Sequence, residues 1–104
     1  RLIEQWPEAE AAICVSDLSA FGAPVECQKR RWAVPERIAL AGFGDFEISS
    51  CCHPALTTVS VNCHEIGRQT GKLLLRAIEA ERLGKTLSAE TVMTDYAVVA
   101  RQST

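Results

Sequence analysis

The sequence predicts an α/β fold, a parallel sheet flanked by helices, and three observations predict it. The run "IALAGF", residues 38–43, is apolar without a break, the habit of a strand covered on both faces. A short apolar block, an amphipathic stretch and that run follow one another within about 30 residues, the size of a βαβ unit. Further on, "HEIGRQTGKLLLRAIEAERLGK" carries apolar residues at the three-and-four spacing of a long helix. In such sheets the crossovers are right-handed and ligands sit at the carboxyl ends of the strands.

Taken in order, residues 11–15 form the first strand, short and buried, with Ile13 and Val15 as its β-branched members. Ser16 and Asp17 both suit a helix N-cap, Asp17 the more so. Leu18, Phe21 and Val25 then lie three and four apart, which sets the apolar face of the next helix. Pro24 inside it removes one backbone bond unless it falls in the first turn. Lys29-Arg30-Arg31 suits a helix C-terminus, where the carbonyl ends favour cations. Pro35 marks a turn before the strand at 38–43. The carboxyl ends of the two strands, Ser16-Asp17 and Gly44-Asp45-Phe46, should be neighbours in space. Residues 57–61 alternate and are β-branched, so they read as extended. In the long helix Ile66, Leu73, Leu74, Ala77 and Ile78 share one face, and Gly84 is its stop. Gly67 and Gly71 weaken that helix by about 1 kcal/mol each against alanine, which a close backbone approach or a frayed first turn would explain. Residues 96–100 read as a last strand with a fraying tail.

Composition narrows the function classes. The chain has 104 residues, 47% hydrophobic and 23% charged, which suits one core-forming domain. Its 11 basic and 13 acidic residues give a net charge of -2, with no basic stripe to hold nucleic acid. No apolar run approaches the roughly 20 residues that span a bilayer. The opening Arg1-Leu2-Ile3-Glu4 has neither an initiating methionine nor the apolar core of a secretory signal, and the expectation is a chain cut from something longer. The five cysteines, Cys14, Cys27, Cys51, Cys52 and Cys63, are odd in number and irregular in spacing, as expected of reduced thiols rather than a disulfide scaffold.

Cys51, Cys52, His53, Cys63 and His64 raise a zinc site or a Cys-His nucleophile as alternatives. Adjacent cysteines point apart, and zinc sites space paired ligands by two to four residues. A nucleophilic pair would want an orienting Asn or Asp, and none stands at a recognisable spacing. The expectation is no metal, no cofactor and no enzyme, with the cluster at the rim of an interface and pocket.

Five pieces in order carry a family resemblance: a strand, then "SDLSAFG", "VPERIALAGFGDFE", "PALTTV" and "IGRQTGKLLL". Together they resemble the C-terminal half of the effector-binding domain of lactose-repressor (LacI/GalR) family transcription regulators. The form "AGFGDFEIS" is similar to the gluconate-operon repressor branch. The resemblance implies the C-terminal portion of a periplasmic-binding-protein-like (type I) effector domain, two α/β lobes with the effector in the cleft. Residues 1–56 would then belong mainly to the C-terminal lobe, 57–61 to a crossover, 62–88 to a helix of the N-terminal lobe, and 89–104 to a return strand and tail. The DNA-binding domain would lie outside this chain.

The resemblance also implies the site. Ser16 stands where relatives place a ligand-contacting polar side chain; capping is its other reading. Asp17 and the amides near Leu18 would face the same ligand, since helix N-termini favour anions. Gly44 stands where many relatives have the first Asp of a Gly-aromatic-Asp-Asp turn. A carboxylate there would grip a neutral sugar and repel an acid, so its absence is compatible with an anionic, gluconate-like sugar acid. Asp45 would contact ligand or cap the segment "FEISS"; Phe46 would stack on a sugar face or pack between lobes. Phe21 and Cys52 match dimer-interface positions, with a place in the core as the alternative for Phe21. The implied protein is a cytoplasmic repressor that senses a sugar or sugar acid, assembles as a homodimer or higher oligomer, touches no membrane, and meets operator DNA only through the missing domain. A sugar-binding protein of an import system shares the fold and is the alternative.

Overall fold

The structure, a computed structural model, describes the backbone of residues 2–104 and the side chains of residues 4–104. The elements run α1 (Leu2–Gln5), β1 (Ala11–Ile13), α2 (Asp17–Arg30), β2 (Ala39–Phe43), α3 (Glu47–Cys51), β3 (Thr57–Val61), α4 (Cys63–Arg82) and β4 (Tyr96–Val99). The strands form one sheet in the order β1-β2-β3-β4. β1 with β2 and β2 with β3 pair in parallel, and Ile13, Ala41 and Thr57 lie in register across them. The chain divides into two compact units, one holding the residues up to Ser60 together with Ala97–Thr104, the other Val61–Tyr96.

In the first unit the core lies between α2 and one face of the sheet. Ala20, Cys27, Ile38, Leu40 and Leu56 are buried there, with Ala12, Ala23, Trp32 and Val34 packed against them. α2 turns Asp17, Ala20, Pro24 and Cys27 inward. The predicted face of Leu18, Phe21 and Val25 points outward instead, with Leu18 67% exposed. The reason is size. Small side chains at Ala20, Ala23 and Cys27 let the helix lie close to Leu40 on β2, which bulky ones would prevent. Pro24 sits mid-helix with its ring buried, and α2 runs on through it to Arg30. The helix stops where Arg31 turns left-handed (φ 57), with the Trp32 N–H on the Cys27 carbonyl at 2.9 Å.

The other face of the sheet is open among the described residues. β1 is shorter than predicted, lies at the sheet edge and is not buried; Val15, just beyond it, is 90% exposed. Along β2, Leu40 and Gly42 face α2, while Ala39 and Ala41 are half-buried and Phe43 is exposed on the opposite face. Continuous apolarity therefore does not mean that both faces are covered within these residues.

The second unit is built around α4. The Asn62 side chain caps it by accepting from the Glu65 N–H at 3.0 Å. Glu65 binds Arg68 and Gln69 one turn on, and the Arg68 contact above all draws its pKa down to about 2. Gly84, left-handed at φ 65, ends the helix as predicted, with the Lys85 N–H on the Ala80 carbonyl at 2.9 Å. Of the predicted apolar face, Leu74 is 59% exposed, and Ala80 is the buried residue of this helix. Gly67 and Gly71 lie within the ordered helix, and a Cβ at either would meet no atom within 4 Å. Neither a close backbone nor fraying accounts for them in this chain.

The C-terminal tail does not fray. Ser103 is fully buried between β2 and β3. Its hydroxyl donates to the Leu40 carbonyl at 2.6 Å and accepts from the Thr57 N–H at 2.8 Å. Its backbone bonds Leu40 and Ala55, and the Gln102 side chain accepts from the Ala55 N–H. Each strand would otherwise leave buried polar groups unpaired there. Ser103→Ala is expected to lower stability by about 2–4 kcal/mol, since it strands two buried groups at about 1–3 kcal/mol each. Urea denaturation of the whole protein measures this; a loss under about 0.5 kcal/mol would mean that the tail is not a structural plug.

Candidate functional site

The two strand tips meet at one buried carboxylate. Ser16 is the N-cap of α2: its Oγ accepts from the Ser19 N–H at 3.3 Å, and the Ser19 hydroxyl donates to the Ser16 carbonyl at 2.8 Å. Capping therefore falls to Ser16, not to Asp17, which the sequence favoured. The reason is that Asp17 points inward, with none of its surface exposed. Its Oδ1 accepts from the Thr58 hydroxyl at 2.5 Å, and its Oδ2 from the Phe46 N–H at 2.8 Å. A Cβ on Gly42 would lie 2.1 Å from Oδ1, so only glycine lets the carboxylate reach across β2. The predicted nearness of Ser16-Asp17 to Gly44-Asp45-Phe46 is thus observed, with Asp17 as the link.

Donors decide the charge state of this link. Burial pushes the Asp17 carboxyl up. The Thr58 hydroxyl, the Ser49 hydroxyl, the Phe46 amide and the Arg101 charge pull it down further, so the group titrates below the ordinary aspartate value. Ser49 is itself buried, and its hydroxyl makes no hydrogen bond of ordinary geometry among the described residues.

The turn after β2 is arranged around this anchor. The Gly44 N–H bonds the Val59 carbonyl at 2.9 Å, and Gly44 has φ 120, a region that suits glycine. Asp45 is left-handed at φ 53; its N–H reaches the Thr58 hydroxyl at 3.4 Å, and its Oδ1 accepts from Arg101 Nη2 at 2.7 Å. Asp45 does not cap the following helix. Phe46 is the N-cap of α3 without a side-chain bond, because its ring has no acceptor to offer, and its own N–H goes to Asp17. The Phe46 ring is 43% exposed. The tips of β1, β2 and β3 form an open, mostly apolar depression lined by Ile13, Cys14, Val15, Gly42, Phe43 and Val59. Burial raises the Cys14 thiol pKa, which keeps it protonated and unreactive.

Phe21 stands on the outer side of α2 and is partly exposed. Cys52 ends α3 half-buried, its thiol directed to the Ser49 and Pro54 carbonyls at 3.5 and 3.4 Å. The Gln28 side chain donates to the His53 carbonyl at 3.0 Å, tying α2 to the loop after α3. All five cysteines are free thiols. Among the described residues no group of three or more His, Cys, Asp and Glu is placed to hold a metal ion, and no helix is long and apolar enough to cross a membrane. Thr58, Gly42 and Arg101 belong to the site, and sequence reasoning missed all three. The doubled Thr57-Thr58 signalled a strand but not which of the two buried threonines meets Asp17, and Arg101 stands far from the site in sequence.

A family of periplasmic binding protein-like domains matches residues 1–104. The chain belongs to that family. As a periplasmic-binding-protein-like chain it is 34% identical over 74 residues to the HTH-type transcriptional repressor CytR of Escherichia coli, covering 71% of this chain and 22% of that protein. It is 31% identical over all 104 residues to the HTH-type transcriptional regulator GntR of Pseudomonas aeruginosa, covering 29% of that protein. Among solved structures it superposes on the transcription regulator GntR from Chromobacterium violaceum with a TM-score of 0.75 and 33% identity, covering 97% of this chain and 36% of that one. The resemblance to lactose-repressor-type regulators read from the five motifs therefore holds. The chain spans between a fifth and two fifths of the length of these relatives.

Asp17→Asn is expected to destabilise the protein by about 2–3 kcal/mol, because one donor then faces an amide NH2. The folded-state pKa of Asp17 lies below its unfolded value, so its contribution is fully present above about pH 3.9 and is lost as pH falls through the folded value. Acid titration followed by circular dichroism should show the Asn variant losing less stability than the parent below about pH 4. Equal losses would mean that an ionised Asp17 is not what joins the two strand tips.

Proposed function

We propose that these residues are the sensing part of a LacI-type transcription regulator, with a small sugar or sugar acid bound against the tips of β1 and β2. The observation that supports this reading best is the meeting of Ser16 and the turn at 44–46 through buried Asp17. A strand-end site in an open α/β sheet is where such ligands bind. Ser16 would offer its hydroxyl, and the exposed Phe46 ring would stack on the apolar face of a sugar. Asp17 would not touch the ligand; it would hold the two tips that do. Gly44, lacking a carboxylate, would leave room for an acid group. The preference is for gluconate-like sugar acids over neutral sugars.

The mechanism is a population shift. An effector that binds one arrangement of the whole protein better than another shifts the balance by that difference in affinity, and the balance decides operator binding elsewhere in the chain. No covalent step is needed. The protein would act in the cytoplasm and as a dimer, with Phe21 and the region of Cys52 as the interface. CytR and GntR are transcriptional regulators by name, which supports a regulator rather than an enzyme or an importer.

Calorimetry of the whole protein with gluconate and with glucose tests the reading. Gluconate is expected to bind at least tenfold more tightly, and Phe46→Ala to weaken it about tenfold; tighter glucose binding would overturn the sugar-acid assignment. Sedimentation of Phe21→Glu is expected to show a dimer weakened at least tenfold, because the charge would be desolvated at the interface. An unchanged dimer would place Phe21 outside the interface.

A further inference from the structure

Asp45 is a non-glycine residue held left-handed, a conformation that aspartate adopts more readily than most residues and that persists where local bonds hold it. Its own N–H contributes little, since that bond to Thr58 is 3.4 Å long. What holds it is Arg101. The guanidinium donates from Nη2 to Asp45 Oδ1 at 2.7 Å and from Nη1 to the Leu56 carbonyl at 2.9 Å. The Arg101 backbone N–H donates to Thr57 Oγ1 at 2.9 Å, so both ends of the residue are tied to the start of β3. The two partners' side chains are 18% and 27% exposed, against 36% and 45% for Arg30–Glu26 and 58% and 47% for Arg76–Glu90. A pair so shielded is less screened than the surface pairs and resists being broken, since either charge alone would be half-buried and unpaired.

Arg101 also begins the plugged tail and follows β4 by two positions. From it a short bond runs to Asp45, whose N–H makes only a long contact with Thr58, while Thr58 and the Phe46 N–H both bond Asp17. We propose that Arg101 is a positioning residue for effector binding: through Asp45 it fixes the turn that presents Gly44 and Phe46, and it ties that turn to the chain leaving β4. The proposal rests on the effector reading above and adds to it a residue that need not touch the ligand.

Two readouts on the whole protein test it. In Arg101→Met, amide exchange at Asp45 and Phe46 is expected to speed up at least tenfold, with exchange at Cys27 in the middle of the core unchanged. Gluconate affinity, by calorimetry, is expected to fall about tenfold in Arg101→Met and to recover in part in Arg101→Lys, which keeps the charge but not the fork. Asp45→Asn should weaken binding similarly, and the double variant should lose no more than Arg101→Met alone, because the two act as one unit. Unchanged exchange at Asp45 and Phe46 would overturn the proposal, as would fully additive losses or exchange that rises equally at Cys27. A parent protein that binds neither gluconate nor glucose would overturn the effector reading and the affinity arm with it, while the exchange arm still decides whether Arg101 holds the turn.

Discussion

The Asp17 carboxylate, buried with no exposed surface, is the constraint around which the first unit is built. A charge in that position is tolerable only if donors surround it. Thr58 on β3 and the Phe46 amide ahead of α3 supply them, with Ser49 close by. Those donors come from β3 and from the turn after β2, and the carboxylate from α2, so satisfying it sets the positions of all three together. The demand passes on to Gly42, which must lack a side chain, and to Ser16, which takes over the capping that Asp17 gives up. A group that would be a liability alone becomes a register pin.

The same logic closes the opposite end of the strands. Ser103 supplies to Leu40 and Thr57 what a longer ladder would otherwise supply, and it does so from the end of the chain. Arg101 stands between these two polar centres, bonded to Leu56 on one side and Asp45 on the other. The apolar core is small and one-sided by comparison, five buried residues under α2. In this unit polar satisfaction carries much of the specificity that a larger core would supply by shape.

The open surfaces follow from the same economy of core. β1 lies at the sheet edge, the face carrying Phe43 is uncovered, and α4 keeps most of its apolar residues in solvent. Relatives more than three times as long carry the matching segment within a larger chain.

Periodicity and punctuation were enough to read the element types: β-branched alternation marked the strand at 57–61, three-and-four spacing and a terminal glycine marked the long helix, and the order of motifs pointed to the family. These are local signals, carried by residues within a turn or two of one another. What tertiary structure alone decided was which side of each element faces in. α2 shows Leu18, Phe21 and Val25 to solvent because the close approach to β2 admits only alanine, proline and cysteine there. Asp17 turned inward rather than capping because Thr58, 41 residues on in sequence, offers it a hydroxyl. Arg101 joined the site across a separation of 56 residues. Contacts of that span leave no trace in local spacing, since they depend on where the sheet register brings distant strands.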